Sequence, residues 1–412
     1  MNQHKPEDLL EFADAMQLKL REFPVKDRWC VLAYYSLCPY APDGSGRIVI
    51  AGADLKTQTG EVIILSRDGE VLDRFGEAPV TPGFWHTGLW QSWSPDAKYV
   101  YYQSGTHQHP EVHRRELATG ETLRMEGDLE GCPPSGEPAI SCEHGMLYAA
   151  GYGSGVYDES LSPIPFRERE RHGLWKMRFD PPSRELVLST EEILRQHPDA
   201  ARLREFDTQN EGLTLMAYCV RWSPDGSRFL FHFGNHTVAD KVKSRKEPRV
   251  GCVFTADRDL KELHMAMDMS FGRSGVHWSW QPDNEHLVGY GPHPDDPGRR
   301  CLAEVKYDGT GYRKINDHRS GGHPSVCPAD FDLVVTDENS GDTGSVIFFS
   351  KKTGEELGRV ALPKFIGDKE PPGRNPLRVC HHPVFNQAGD RLLCNTLPEN
   401  GLATLCEIQV ER

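Results

Sequence analysis

No stretch of about 18 consecutive apolar residues occurs in the chain, which excludes a bilayer-spanning helix. The N-terminus "MNQHKPEDLLEFADAMQ" lacks the apolar core of a secretory signal, so the expected location is the cytoplasm, or beyond it if a leader has been removed. No Gly/Ser-rich or Pro-rich linker divides the 412 residues, and one repeat architecture over 1–412 fits better than two domains. The eleven cysteines are an odd count without a C-x-x-C pair, so buried thiols or metal ligands are expected instead of a disulfide framework. Basic charge is short: 47 Lys and Arg stand against 61 Asp and Glu, a net −14. That excludes general nucleic-acid binding, which needs a basic face to displace counterions. An acidic ligand must therefore find a local pocket of Arg and His.

What is present is a recurring turn. "CPYAPDGSGRIVI", "QSWSPDAKYVYY", "VRWSPDGSRFLFHF" and "SWQPDNEHLVGY" each read as a strand, a Pro-Asp turn and a second alternating strand. More worn copies are "SVCPADFDLVV", "VFNQAGDRLLC" and "AISCEHGMLYAAG". The anchors Pro42, Pro95, Glu143, Pro224, Pro282, Pro328 and Gln387 are mostly about 46 to 59 residues apart, a blade-sized interval. Further strands follow, as in "GEVIILSRDGEVLDRF", so each unit is a four-stranded antiparallel meander. Seven of them predict an all-β, seven-bladed β-propeller.

The long interval from Glu143 to Pro224 predicts a helical insertion over 185–206, between blades three and four, with Ser189 as N-cap and Glu192 as its box partner. The last blade has three clear strands. Its fourth is expected from the N-terminus, near "LKLREFPV", so that 1–25 holds a short helix and the closing strand.

Five residues before each anchor stand Leu37, Trp90, Pro138, Cys219, His277, His323 and His382. Inner strands of a propeller run along its axis, so equivalent positions converge there. Cys219, His277, His323 and His382 form the ligand set of a closed tetrahedral site. A structural divalent metal is expected, zinc before manganese or calcium. Taken singly, each of these histidines reads as packed core.

A second group suggests chemistry. "TPGFWHTGLWQSWSPD", "YYQSGTHQHPEVHRR", "YAAGYGSGVYDES" and "PFRERERHGLW" place His, Tyr and Arg at strand ends and loops. β-Elimination next to a uronate needs the carboxylate neutralised before the C5 proton can leave; Arg suits the first task and Tyr or His the proton transfers. Against this, the Arg-Glu alternation from Arg167 to Arg171 also reads as a solvated face, and tryptophans in blades are usually core.

"WHTG" before a WSPD turn, the later histidines, "GYGSG", the Arg-rich loop and the "HHPVFNQAGDRLL" ending resemble the seven-bladed propeller polysaccharide lyases, in blade order over most of the chain. The pattern is similar to ulvan and rhamnose-glucuronate lyases and, more distantly, to oligogalacturonate lyases, whose histidines at the last location bind metal. The resemblance implies cleavage of a rhamnose-α-1,4-glucuronate type linkage to give a 4,5-unsaturated uronate. It implies His86 and His107 as the paired histidines, Tyr152 as acid/base and Arg167 as the carboxylate clamp. Arg169, Arg221, His109 and Trp85 would contact substrate. The expected partner is an anionic oligosaccharide or polysaccharide, with no nucleic acid and no membrane, and the chain is expected to be a monomer. An oligogalacturonate lyase with a metal-bound carboxylate is the alternative within the class, and a non-enzymatic binding propeller the alternative outside it. No G-x-S-x-G elbow supports a peptidase.

Overall fold

The computed structural model describes residues 10–12, 17–81, 83–145, 162–209, 215–235, 250–340, 343–363, 379–398 and 401–411. Their strands form seven antiparallel sheets arranged as consecutive blades, the seven-bladed propeller expected from the repeat.

The repeated turn explains itself chemically. In blade two the Ser94 hydroxyl donates to Asp96 at 2.7 Å and accepts from the Tyr99 amide at 2.9 Å. Blade four repeats this with Ser223, Asp225 and the Arg228 amide, at 2.7 and 3.0 Å. Ser and Asp thus satisfy amides that a tight turn leaves unpaired, and Pro presets the first φ. The residue needing positive φ is Gly226 in blade four, at 69°, whereas Ala97 carries it in blade two at 55°.

The inner strands are Trp29–Val31, Ser92–Trp93, Ala139–Cys142, Met216–Trp222, Val276–Trp280, Ser325–Cys327 and Val384–Phe385. Apolar side chains alternate onto both faces and fill the space between blades; in blade four Phe231 and Phe254 stack at 5.6 Å beside Phe229 and Phe233. The ring closes through Gln17–Phe23, which pairs with Thr404–Glu411 as the fourth strand of blade seven, Leu18 opposite Val410 and Phe23 opposite Leu405. Leu18 and Phe23 are buried, and each such burial stabilises the closure by about 1.5–3 kcal/mol. Phe23 packs against Gly69 so closely that a Cβ there would lie 2.7 Å from its ring.

Three expectations are corrected. Leu10–Phe12, placed in the N-terminal helix by spacing, is a strand on the outer edge of blade six, opposite Gly358 to Val360. Three alternating residues can satisfy their amides on an open sheet edge, and pairing there outweighs weak helical periodicity. The insertion begins later than 185: Pro182–Ser189 is a blade-three strand, and the helices are Thr190–Gln196 and Ala200–Gln209, with the Ser189–Glu192 capping box formed. In blade three the strand paired with Ala139–Cys142 is Gly173–Phe179, not the stretch directly after Glu143. Residues 146–161 of that stretch lie outside the described residues.

Candidate metal centre on the propeller axis

The counted column is a structural feature. Trp90, Cys219, His277 and His382 all have left-handed backbone, with φ of 54°, 57°, 50° and 48°. Register shifts fall between Tyr218 and Arg221 and between Val276 and Ser279. Each is a local bulge of the inner strand, which re-aims a side chain at a sheet rim. Non-glycine residues at positive φ carry strain, and this strain recurs at the counted position in blades two, four, five and seven.

Three imidazoles meet there. One ring nitrogen each of His86, His323 and His382 lie within 4.8 Å of one another, all buried. His323 and His382 are 4.2 Å apart between ring centroids and His86 and His382 4.8 Å. His277 stands beside them, its ring 4.3 Å from that of His323. Its Nδ1 donates to the carbonyls of Gly321 and Gly322 at 2.9 and 3.0 Å, which puts the lone pair of the neutral ring on Nε2. Burial first, then the charges of His323 and Arg221, hold the His277 pKa well below the usual histidine value. His382 is lowered likewise, by burial and then by His323 and His86.

Asp337 anchors the cluster. Its carboxylate accepts from His323 Nδ1 at 3.0 Å to both oxygens, from the His323 amide at 2.6 Å and from the His382 amide at 3.4 Å. Burial works to raise the Asp337 carboxyl; the His323 imidazole overrides it and holds the group well below the carboxylate range. The close approach depends on Gly322, where a Cβ would fall 1.8 Å from the Asp337 carbonyl oxygen.

The cluster fits a divalent metal. His382 has no hydrogen-bond partner on either ring nitrogen, and His323 has none on Nε2, although all three atoms are buried. Buried polar atoms are almost always paired, and three neutral imidazoles, one oriented by a carboxylate, are a metal-ligand set.

The three-residue group differs from the metal set expected from the column in two members. Cys219 lies in the column, but its thiol is not in the three-residue group; it neighbours Cys142 of blade three, whose thiol pKa it helps raise. His277 is adjacent instead of a member. His86, assigned to proton transfer, is the third member of the group. It sits on the one-turn helix Phe84–Thr87, outside the strand count, so column spacing could not find it.

Below the cluster Tyr34, Tyr35 and Arg221 plug the channel. Arg221 Nη1 donates to Tyr35 Oη at 2.5 Å and to the Trp278 carbonyl, and the guanidinium lies 5.0 and 4.8 Å from the Tyr34 and Tyr35 ring centroids. Arg221, expected to contact substrate, is 3% exposed, makes this internal tie and lines the neighbouring cavity. On the far side a cavity of about 460 Å³ opens between the turn anchors Pro42, Pro95 and Pro224. Trp85, expected to stack on sugar, is buried edge-on against Trp29 and Phe84 at 5.9 and 5.4 Å; it is core.

His107 is half-buried and His109 exposed, on the hairpin tip between Tyr99–Gly105 and Pro110–Glu116, and neither belongs to the imidazole group. Burial lowers the His107 pKa. Arg167 is exposed and Arg169 half-buried on the segment 162–172. Two buried histidines pin that segment. His144 Nε2 donates to the Ile164 carbonyl at 3.1 Å, and His172 Nε2 to that of Phe166 at 3.0 Å. His172 Nδ1 accepts from the Thr190 hydroxyl at 3.0 Å. Tyr152 lies outside the described residues.

No family model and no curated protein matches the chain. Solved structures do match in fold. An oligogalacturonate lyase in complex with manganese superposes with a TM-score of 0.63 at 15% identity, covering 98% of this chain and 97% of that one. The oligogalacturonate lyase of Vibrio parahaemolyticus gives 0.61 at 14%, covering 98% and 96%. A prolyl endopeptidase gives 0.53 at 13%, matching 92% of this chain but 46% of that one. At these identities the likeness establishes the propeller fold.

Proposed function

We propose that the protein is a metal-assisted lyase that cleaves a glycosidic bond next to a uronic acid by β-elimination. The observation that carries this reading is the group of three buried imidazoles, His86, His323 and His382, with His277 beside it. A divalent ion held by the three would supply Lewis-acid neutralisation of the substrate carboxylate, the condition for acidifying the C5 proton.

His277 is the base we assign. Its tautomer is fixed by the Gly321 and Gly322 carbonyls, which puts the lone pair that takes the proton on Nε2, and burial keeps the ring neutral. In the elimination His277 Nε2 takes H5, the C5–H pair becomes the C4–C5 double bond, and the C4–O bond breaks. The leaving oxygen takes a proton and departs as a hydroxyl, for which His107 is a candidate donor. Arg167 and Arg169 are candidate contacts for the further anionic sugars of the chain.

Galacturonate is the first substrate proposed. Its carboxylate would meet the metal, and Arg221, whose charge bears on His277, is already tied to Tyr35 and Trp278. The whole-chain likeness to a structure named as an oligogalacturonate lyase with manganese supports this choice. Rhamnosyl-glucuronate oligosaccharides, implied by the sequence motifs, are the second.

The test is the ultraviolet absorbance of unsaturated uronate, recorded with each substrate after chelation and after adding back Mn2+ or Zn2+. Turnover that chelation abolishes and metal restores, and that His277→Gln lacks while retaining the metal, is expected. No chromophore from either substrate under any metal would sink the reading.

A further inference from the structure

The closing strand Gln17–Phe23 and the strands Thr404–Glu411 and Arg391–Thr396 lie side by side in blade seven. Lys19 stands opposite Gln409 and Gln409 opposite Arg391, while Arg21 stands opposite Glu407, two residues along. Directly opposed residues and residues two apart share a sheet face, so these five side chains leave one face of the blade. The blade-one hairpin that follows Thr59–Leu65 brings Arg67 and Asp68 to the same place, and a cavity of about 480 Å³ lies among them. Arg21 fastens this seam: its guanidinium lies 4.8 Å from the Phe23 ring centroid and donates to the Arg67 carbonyl at 3.3 Å. At the more buried end Tyr40 donates to Glu407 Oε2 at 2.8 Å, and Arg391 Nη1 stands 3.8 Å from the same oxygen. Arg21 meets Asp68 at 3.6 Å, so both of these ion pairs are longer than a hydrogen bond.

We propose that this seam is a second ligand site, on the outer strands of blade seven instead of the axis, and that it takes a sugar acid, an oligouronate chain. Four cations face two carboxylates here, in a chain whose net charge is −14, so the local field draws an anion to a molecule that otherwise repels one. Arg and Lys both suit carboxylates, the first as a planar fork and the second as a point charge. The volume falls within the range of small-molecule sites, roughly 300–1,000 Å³. Glu407 and Gln409 decide the class of ligand. A carboxylate beside the cations repels a compact anion such as phosphate but accepts from hydroxyls, and the amide both donates and accepts. Carboxylates for the cations and hydroxyls for Glu407 and Gln409 together describe a sugar acid. The choice of galacturonate as that sugar rests on the lyase reading. A ligand that touches the closing strand, the C-terminal strand and blade one at once also stabilises the closed ring.

The experiment titrates trigalacturonate into the metal-free full chain, in which no ion at the histidine centre can hold a carboxylate, and reads heat of binding and the thermal midpoint. The expected result is one molecule per chain with a raised midpoint, weakened by added NaCl and unaffected by His382→Ala. Arg21→Gln and Arg67→Gln each bind about fivefold more weakly, and the double variant Arg21→Glu with Arg67→Glu does not bind. Arg67 is exposed, so Arg67→Glu alone keeps the fold and serves if the double variant does not. Turnover by the metal-loaded protein keeps the two readings apart. Binding at the seam without any chromophore overturns the lyase reading alone, and a chromophore with no heat in the metal-free chain overturns this site alone. The proposal is also overturned if Arg67→Glu binds trigalacturonate as the parent does, or if inorganic phosphate binds at the seam and trigalacturonate does not.

Discussion

His323 donates from Nδ1 to both oxygens of Asp337, at 3.0 Å each, and its backbone amide donates to the same carboxylate at 2.6 Å. That leaves the lone pair of Nε2 turned away from Asp337, and fixes tautomer and ring orientation together. Asp337→Asn keeps the shape and removes the charge, and is expected to weaken Zn2+ or Mn2+ binding by about 10–100-fold. Calorimetric titration checks this; an unchanged dissociation constant would mean that the carboxylate does not position the ring.

Membership of the centre is decided by metal content. His86→Ala and His382→Ala should lose bound Zn2+ or Mn2+ when the purified variants are assayed by mass spectrometry, whereas Cys219→Ser should retain it, since that thiol lies outside the three-imidazole group. The opposite pattern, loss in Cys219→Ser and retention in His86→Ala, would restore the ligand set that column spacing suggests.

The Arg221 tie makes a stability prediction. Arg221→Met removes the charged donor that Tyr35 Oη and the Trp278 carbonyl share and leaves them the weaker 3.3 Å bond from the Tyr35 hydroxyl to that carbonyl, at a cost on the order of 3 kcal/mol. A lower denaturation midpoint with an unchanged KM is expected. A raised KM at unchanged stability would instead make Arg221 a substrate contact.

Two histidines set an acid limit. Burial first lowers the His144 pKa to about 3 and the His172 pKa to about 4, both below the unfolded value near 6.5. The unfolded chain therefore binds protons more readily between these limits, so this stability is fully present above about pH 6.5 and is lost as pH falls toward 4. The loss is on the order of 2 kcal/mol per histidine by pH 5. Midpoints followed from pH 7 to 5 should fall less steeply in His172→Gln than in the parent; parallel curves would remove His172 as the cause.

The turn chemistry made the propeller legible. Ser94 with Asp96 and Ser223 with Asp225 close their turns through bonds between residues a few positions apart, and local bonds leave local signatures. The same spacing located His323 and His382, because inner strands at equivalent places in their blades bring equivalent positions to the axis. It did not locate His86, which arrives on a helical turn outside that geometry, or Asp337, which reaches the centre from the second strand of blade six.

The sequence by itself determined the repeat, the alternation of strands and the supply of histidines, since each depends on neighbours along the chain. Only the tertiary structure decided which histidines share a centre and that Arg221 of blade four ties Tyr35 of blade one to the Trp278 carbonyl of blade five. Those are relations between separate blades, fixed by how the ring closes on its axis, and no interval within a single blade encodes them.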